Sequence, residues 1–152
     1  MTIKRVSICL WALPLLLWAI GAQAATALVT PAQALLPPSP VIVPRGAADG
    51  PKVALAGPES AVKDGTPFDL KAVFTPRPDS SVDSKSVHII LLRGDGVDVT
   101  EQVRGAGKID QTGIDLTGLV APPGEYRIRV LVDDTSQRLG FADVTLKIDA
   151  PQ

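Results

Sequence analysis

The sequence predicts an all-β chain: a seven-stranded antiparallel sandwich of two layers, placed behind a secretory signal peptide and a proline-rich extended segment. Three observations predict it. From Lys52 onward, apolar and polar residues alternate in short runs, the period of strands with one buried face. Turn-forming residues punctuate those runs at roughly ten-residue intervals, the spacing of antiparallel sandwiches. No window sustains the 3.6-residue stripe of an amphipathic helix.

Residues 1–24 read as a signal peptide. Lys4 and Arg5 form the charged start, residues 6–20 the apolar run, and Ala22-Gln23-Ala24 a small-x-small cleavage site. The run is interrupted by Pro14 and falls short of the ~20 apolar residues that span a bilayer, so no permanent membrane anchor is expected. Cys9 precedes most of the apolar run, which is the wrong place for a lipid-attachment cysteine. Cleavage after Ala24 removes Met1, Cys9, Trp11 and Trp18, so the mature chain has no cysteine, methionine or tryptophan. A disulfide, a thiolate nucleophile and a cysteine-bound zinc are thereby excluded, although an exported compartment permits disulfides. Loss of Lys4 and Arg5 takes the formal net charge from −1 to −3 with no basic run, which argues against a nucleic-acid partner or an anionic-membrane surface. The expected location is periplasmic or secreted.

Residues 25–50 read as a tether. Seven prolines fall between Pro31 and Pro58, among apolar clusters of no sustained period, and Pro37-Pro38 favours polyproline II geometry. The folded domain is expected at residues 51–150, with strands at 52–56, 68–74, 86–93, 97–103, 109–116, 126–132 and 141–148. Asp64-Gly65 supplies the first turn, and "TPRPDSSVDSK" leads into the third strand.

The stretch "APPGEYRIRVLVDD" resembles the sixth strand of bacterial immunoglobulin-like domains, in which a turn, Gly-x-Tyr and alternating aliphatics recur; Gly124, Glu125 and Tyr126 carry the match. In that family the tyrosine precedes a disulfide cysteine by two positions, and here Ile128 takes the cysteine's place with Leu70 facing it from the second strand. The strand-three tryptophan of antibody domains is also missing, with Val87, Ile89 and Leu91 in its stead. The resemblance spans about residues 52–148, sits with the cysteine-free bacterial branch, and implies a fold and no activity.

Little of the sequence reads as chemistry. Arg93-Gly94-Asp95 has the form of an adhesive tripeptide, yet it falls where the third strand must turn, and glycine beside aspartate supplies the backbone of a tight turn. His88 is the lone histidine and lies on a β-rich run, so neither a histidine-dependent triad nor a multi-histidine metal site can form within one chain. Copper carriage lacks its His and Met ligands. No catalytic residues, cofactor or metal ligands are assigned, and the chain is expected not to be an enzyme. Asp79 and Asp83 lie in one loop and Asp133 and Asp134 in another, at a shared end of such a sandwich, so weak calcium binding is a competing reading to that of solvated turn aspartates with Arg77 and Lys85 nearby. Carbohydrate binding is poorly supplied, because Tyr126, Phe68 and Phe74 read as core and only Phe141 as an exposed ring.

Strand parity nominates a contact site. With Val87, Ile89 and Leu91 inward, His88, Ile90 and Leu92 face out; with Tyr126, Ile128, Val130 and Val132 inward, Arg127, Arg129 and Leu131 face out; and Val144, Leu146 and Ile148 leave Phe141, Asp143, Thr145 and Lys147 outside. Ile90, Leu92, Leu131 and Phe141, rimmed by Arg127, Arg129 and Lys147, therefore form an outward apolar patch, the mark of a protein contact unless residues 34–43 fold back over it. The functional expectation is an exported non-catalytic module acting by protein contact in the cell envelope or as a structural spacer. A calcium-linked adhesion or surface-binding module is the alternative.

Overall fold

The computed structural model describes residues 25–40, 44 and 49–151; the signal peptide reading falls outside them. Ten strands, two short α-helices and two 3-10 turns occur among the described residues. One sheet has the order β1-β8-β4-β2, with β7 also paired to β8; the other runs β3-β10-β9-β5-β6. Here β1 is Thr26–Ala27, β2 Lys52–Ala56, β3 Val62–Lys63, β4 Phe68–Thr75, β5 His88–Leu91, β6 Val97–Asp98, β7 Gly107–Asp110, β8 Gly113–Val120, β9 Gly124–Asp133 and β10 Leu139–Asp149.

The alternation read from the sequence sets the core. Phe68, Leu70, Ala72 and Phe74 of β4 meet Ile89, Leu91, Tyr126, Ile128, Val130 and Val132 of the opposite sheet, all buried. Leu70 and Ile128 are both wholly buried at the positions that the resemblance assigns to a disulfide. Tyr126 is 1% exposed, and its hydroxyl donates to the Pro122 carbonyl at 2.9 Å with the Pro123 carbonyl 3.2 Å away. This is the tyrosine corner of immunoglobulin-like sandwiches. With that corner, the two facing sheets and the parallel β3–β10 edge pair, the architecture is an immunoglobulin-like β-sandwich.

Two expected strands come out differently. Residues 97–103 form only the two-residue β6 and then helix α2, Thr100–Val103. Asp98 accepts from the Thr100 backbone N–H and hydroxyl, which turns the chain, and Val99 and Val103, four apart, are both wholly buried, a spacing that suits a helical turn as well as it suits alternation. Residues 109–116 are a hairpin, β7 and β8, in which Asp110 accepts from the Thr112 N–H and hydroxyl and from the Gly113 N–H. Glycine is needed at 113, because a Cβ there would lie 1.9 Å from the Ala72 carbonyl oxygen of β4.

The largest departure is at the N-terminal side. The reading of residues 25–50 as an extended tether does not describe Thr26 to Pro40. β1 pairs in parallel with the end of β8, the Leu28 N–H donates to the Val120 carbonyl at 2.8 Å, and Leu28 and Val29 are buried in the core. Helix α1, Pro31–Ala34, follows with a capping box between Thr30 and Gln33 and proline at its first turn. That Thr-Pro-x-Gln signature was legible in the sequence. The two-residue strand before it was not, because so short a pairing carries no period.

Candidate functional site

The outer face of β5, β9 and β10 is built from cross-strand pairs. Ile90 stands opposite Arg129, which stands opposite Asp143, and His88, Leu131 and Phe141 align in the next row. Parity places these side chains on the face expected of them: Ile90, Leu92, Leu131 and Phe141 are half-buried, and Arg127 is exposed. Arg129 departs from the expectation of a rim cation. It is 6% exposed, holds Asp143 through two bonds (Nε to Oδ1 at 2.7 Å, Nη2 to Oδ2 at 2.9 Å), and lies over the Phe141 ring at 4.7 Å from the centroid. The hydrogen bond to Asp143 raises the already high Arg129 pKa and outweighs the opposing effect of burial, so the guanidinium stays charged inside an apolar surround. Phe141, read from the sequence as an exposed ring, is thereby partly covered. Arg127 joins the same carboxylate at 3.3 Å from the exposed side.

Ile90, Leu92, Arg129 and Leu131 form the floor of a groove of about 330 Å³, with Ser39 and Pro40 on one wall and the Gly94–Gly96 turn at its end. The expectation that residues 34–43 cover the patch thus meets the structure in part: Pro37 to Ser39 runs along Leu92 to Gly94, while 41–43 lie outside the described residues. The apolarity of residues 34–43 named the segment but not which of its residues reach the face; that Ser39 and Pro40 do so depends on a contact across more than fifty positions of chain.

The Arg-Gly-Asp tripeptide is a turn whose arginine faces inward. Gly94 and Gly96 have φ of +59° and +91°, and the Gly96 N–H donates to the Arg93 carbonyl at 3.0 Å. The Arg93 guanidinium donates to the carbonyls of Ala34, Leu36 and Glu125 and stacks on Tyr126. Only Asp95 of the three is exposed.

His88 Nδ1 lies 2.7 Å from Asp98 Oδ2 and ties β5 to the β6 edge. The aspartate loops do share one end, as expected, and Arg138 stands between them: it binds Asp134 Oδ2 at 2.8 Å and Asp79 Oδ1 at 2.9 Å, while Ser80 donates to Asp134 at 2.9 Å. Burial raises the Asp134 pKa, but the Arg138 and Ser136 backbone N–H groups, the Ser80 hydroxyl and the Arg138 guanidinium outweigh it and hold the carboxyl down at about 2. Asp83 instead caps the 3-10 turn Ser84–Ser86, accepting from Lys85 N–H, and Asp133 enters through its backbone. Among the described residues no group of three or more His, Cys, Asp or Glu is arranged to hold a metal ion, and no helix is long and apolar enough to cross a membrane.

No family model matches the chain, and no curated protein matches it. Similar solved structures include the PKD domain of an M14-like peptidase from a Thermoplasmatales archaeon, at 14% identity and TM-score 0.44, covering 66% of this chain and 97% of that one. Murine CRIg aligns at 12% identity and TM-score 0.40 over 66% of this chain and 98% of its own. The PKD domain of the human VPS10 domain-containing receptor SorCS2 aligns at 15% identity and TM-score 0.37 over 99% and 98%.

Proposed function

We propose that this chain is an exported, non-catalytic immunoglobulin-like module that works by protein contact in the periplasm or outside the cell, through the outer face of β5, β9 and β10. One observation carries the reading: Ile90, Leu92 and Leu131 form an incompletely covered apolar floor around a fully paired Arg129–Asp143, a surface that has its charge satisfied and its apolar area still in contact with water. Such a combination favours a protein partner, because association removes apolar area without stranding a charge. Export is supported by the charged start, the apolar run and Ala22-Gln23-Ala24 of residues 1–24; cleavage after Ala24 leaves β1, Thr26–Ala27, intact.

The test combines Leu92→Lys with Leu131→Lys in the mature chain. Cross-linking in envelope fractions and sedimentation of the pure protein should both lose the association seen with the parent chain. The melting temperature should move by only a few degrees, since a change at half-buried surface costs about 0.5 kcal/mol. Retained association, or unfolding of the double variant, would end this reading. N-terminal mass analysis of protein recovered from the same fractions should begin at Ala25.

A further inference from the structure

The segment that follows β1 is held at two points of different chemistry. At the first, Gln102 Nε2 donates to the Ala27 carbonyl at 2.6 Å and the Leu28 carbonyl at 3.1 Å, and Leu28 and Val29 are buried beneath it. This anchor is largely apolar. Beyond it the grip changes, for α1 buries none of its residues and Leu35 is 87% exposed.

Gln33 Nε2 donates to Gln102 Oε1 at 3.2 Å and Ala34 packs on the core, and the end of α1 is gripped by Arg93. Its Nη1 donates to the Ala34 carbonyl at 3.0 Å and the Leu36 carbonyl at 2.7 Å, its Nη2 donates to the Glu125 carbonyl at 2.8 Å, and its Cζ lies over the Tyr126 ring at 4.9 Å from the centroid. Ala34 and Leu36 stand at the end of a one-turn helix, where carbonyls have no partner within the helix. A planar guanidinium, with five N–H donors spread in a fixed fork, can reach these two carbonyls and that of Glu125 at once while its face lies on a ring; an ammonium has three donors about a single point and no such plane. Next to it the Gly94 N–H donates to the Pro37 carbonyl at 2.8 Å, the Ser39 N–H to the Leu92 carbonyl at 3.0 Å, and the Ser39 hydroxyl to the Gly94 carbonyl at 2.7 Å. The same stretch then supplies Ser39 and Pro40 to the groove wall.

We propose that Arg93 is the clasp of a strap: it holds the stretch from Pro31 to Pro40 against the ends of β5 and β9, and by doing so it positions one wall of the groove over Ile90, Leu92 and Leu131. Arg93 and Gly94 of the Arg-Gly-Asp sequence thus act inward, as a positioning site for the contact face. The clasp stands on geometry alone; its consequence for binding rests on the contact reading above.

Amide hydrogen exchange of the mature chain separates the two. In Arg93→Ala, exchange at Ser39 and Gly94 should accelerate about tenfold or more, while Leu28 and the β9 amides keep their protection, because local opening draws only on the bonds that hold the strap. Arg93→Lys should fall between the parent and the alanine variant, and it decides the matter on the same amides if the alanine variant does not fold. Association, measured by the cross-linking and sedimentation used for Leu92→Lys with Leu131→Lys, should weaken in parallel. Unchanged protection at Ser39 and Gly94 overturns the clasp, and so does acceleration spread equally over β9, which would make Arg93 part of the global core. A released strap with association at parental strength overturns the role of the strap in the groove while leaving the contact face itself standing.

Discussion

β4 and β9 are both interior strands of their sheets, yet they are buried differently. β4 alternates without exception, with Phe68, Leu70, Ala72 and Phe74 inward and Asp69, Lys71, Val73 and Thr75 exposed. β9 begins the same way and then departs, because Arg129 between Ile128 and Val130 is buried as well and Leu131 is half-buried. The outer face of β4 carries the Lys71–Asp115 ion pair, both partners more than half exposed; that of β9 carries the enclosed Arg129–Asp143 pair under Phe141. The two pairs have similar chemistry and opposite energetics. In water the Coulomb gain is nearly cancelled by hydration and side-chain entropy, whereas an enclosed charge that loses its partner has nothing to replace it.

The sharpest way to break the comparison is Arg129→Ala against Lys71→Ala. The first takes from Asp143 its buried two-bond partner, leaves it only the exposed Arg127 on a largely covered face, and should cost about 3 kcal/mol in urea unfolding. The second should fall within about 0.5 kcal/mol. Equal costs would mean that the outer face of β9 is as wet as that of β4. Exchanging Arg129 and Asp143 together for apolar residues should recover much of the loss, because no charge is then stranded.

Smaller, and on the inner face, is Tyr126→Phe. It keeps the ring in the core and removes the hydroxyl that donates to Pro122, so unfolding should cost about 1 kcal/mol with the slope against denaturant unchanged. A loss comparable to that of Arg129→Ala would assign the corner a larger share than one hydrogen bond supplies.

A third contrast lies at the end of β9, where Asp134 follows the strand. Its carboxyl is held at about 2 in the fold, below the ordinary unfolded value of about 3.9. A depressed folded pKa stabilises above the unfolded pKa, and the contribution is lost as pH falls through the folded one. Stability should therefore decline between about pH 4 and pH 2, and Asp134→Asn should flatten that part of the acid profile; an unaltered profile would remove Asp134 from the balance.

Much of the sandwich was legible along the chain. The inward sets of β4, β5, β9 and β10 follow from a side-chain period of two, and a one-residue slip would have moved every aliphatic to water, so one register was strongly favoured. The Gly-x-Tyr that opens β9 carried the resemblance for a similar local reason: the tyrosine corner it builds joins a donor and an acceptor four residues apart. The candidate face was legible as a set of outward residues, and Arg127 lies where parity puts it, exposed.

Which of those outward residues are still wet was a matter for the tertiary structure. Arg129 loses its water because β10 returns with Asp143 opposite it and Phe141 one row along, a coincidence of register that a single strand does not carry. Residues 26–40 join the fold because β8 has an open edge at Leu119 and Val120, the core has room for Leu28 and Val29, and Arg93 needs three carbonyls. Periodicity is a property of neighbours along the chain, so it determines which way a side chain points. Enclosure depends on what arrives from elsewhere, and at the outer face of β9 the covering groups come from a distant strap and an adjacent strand.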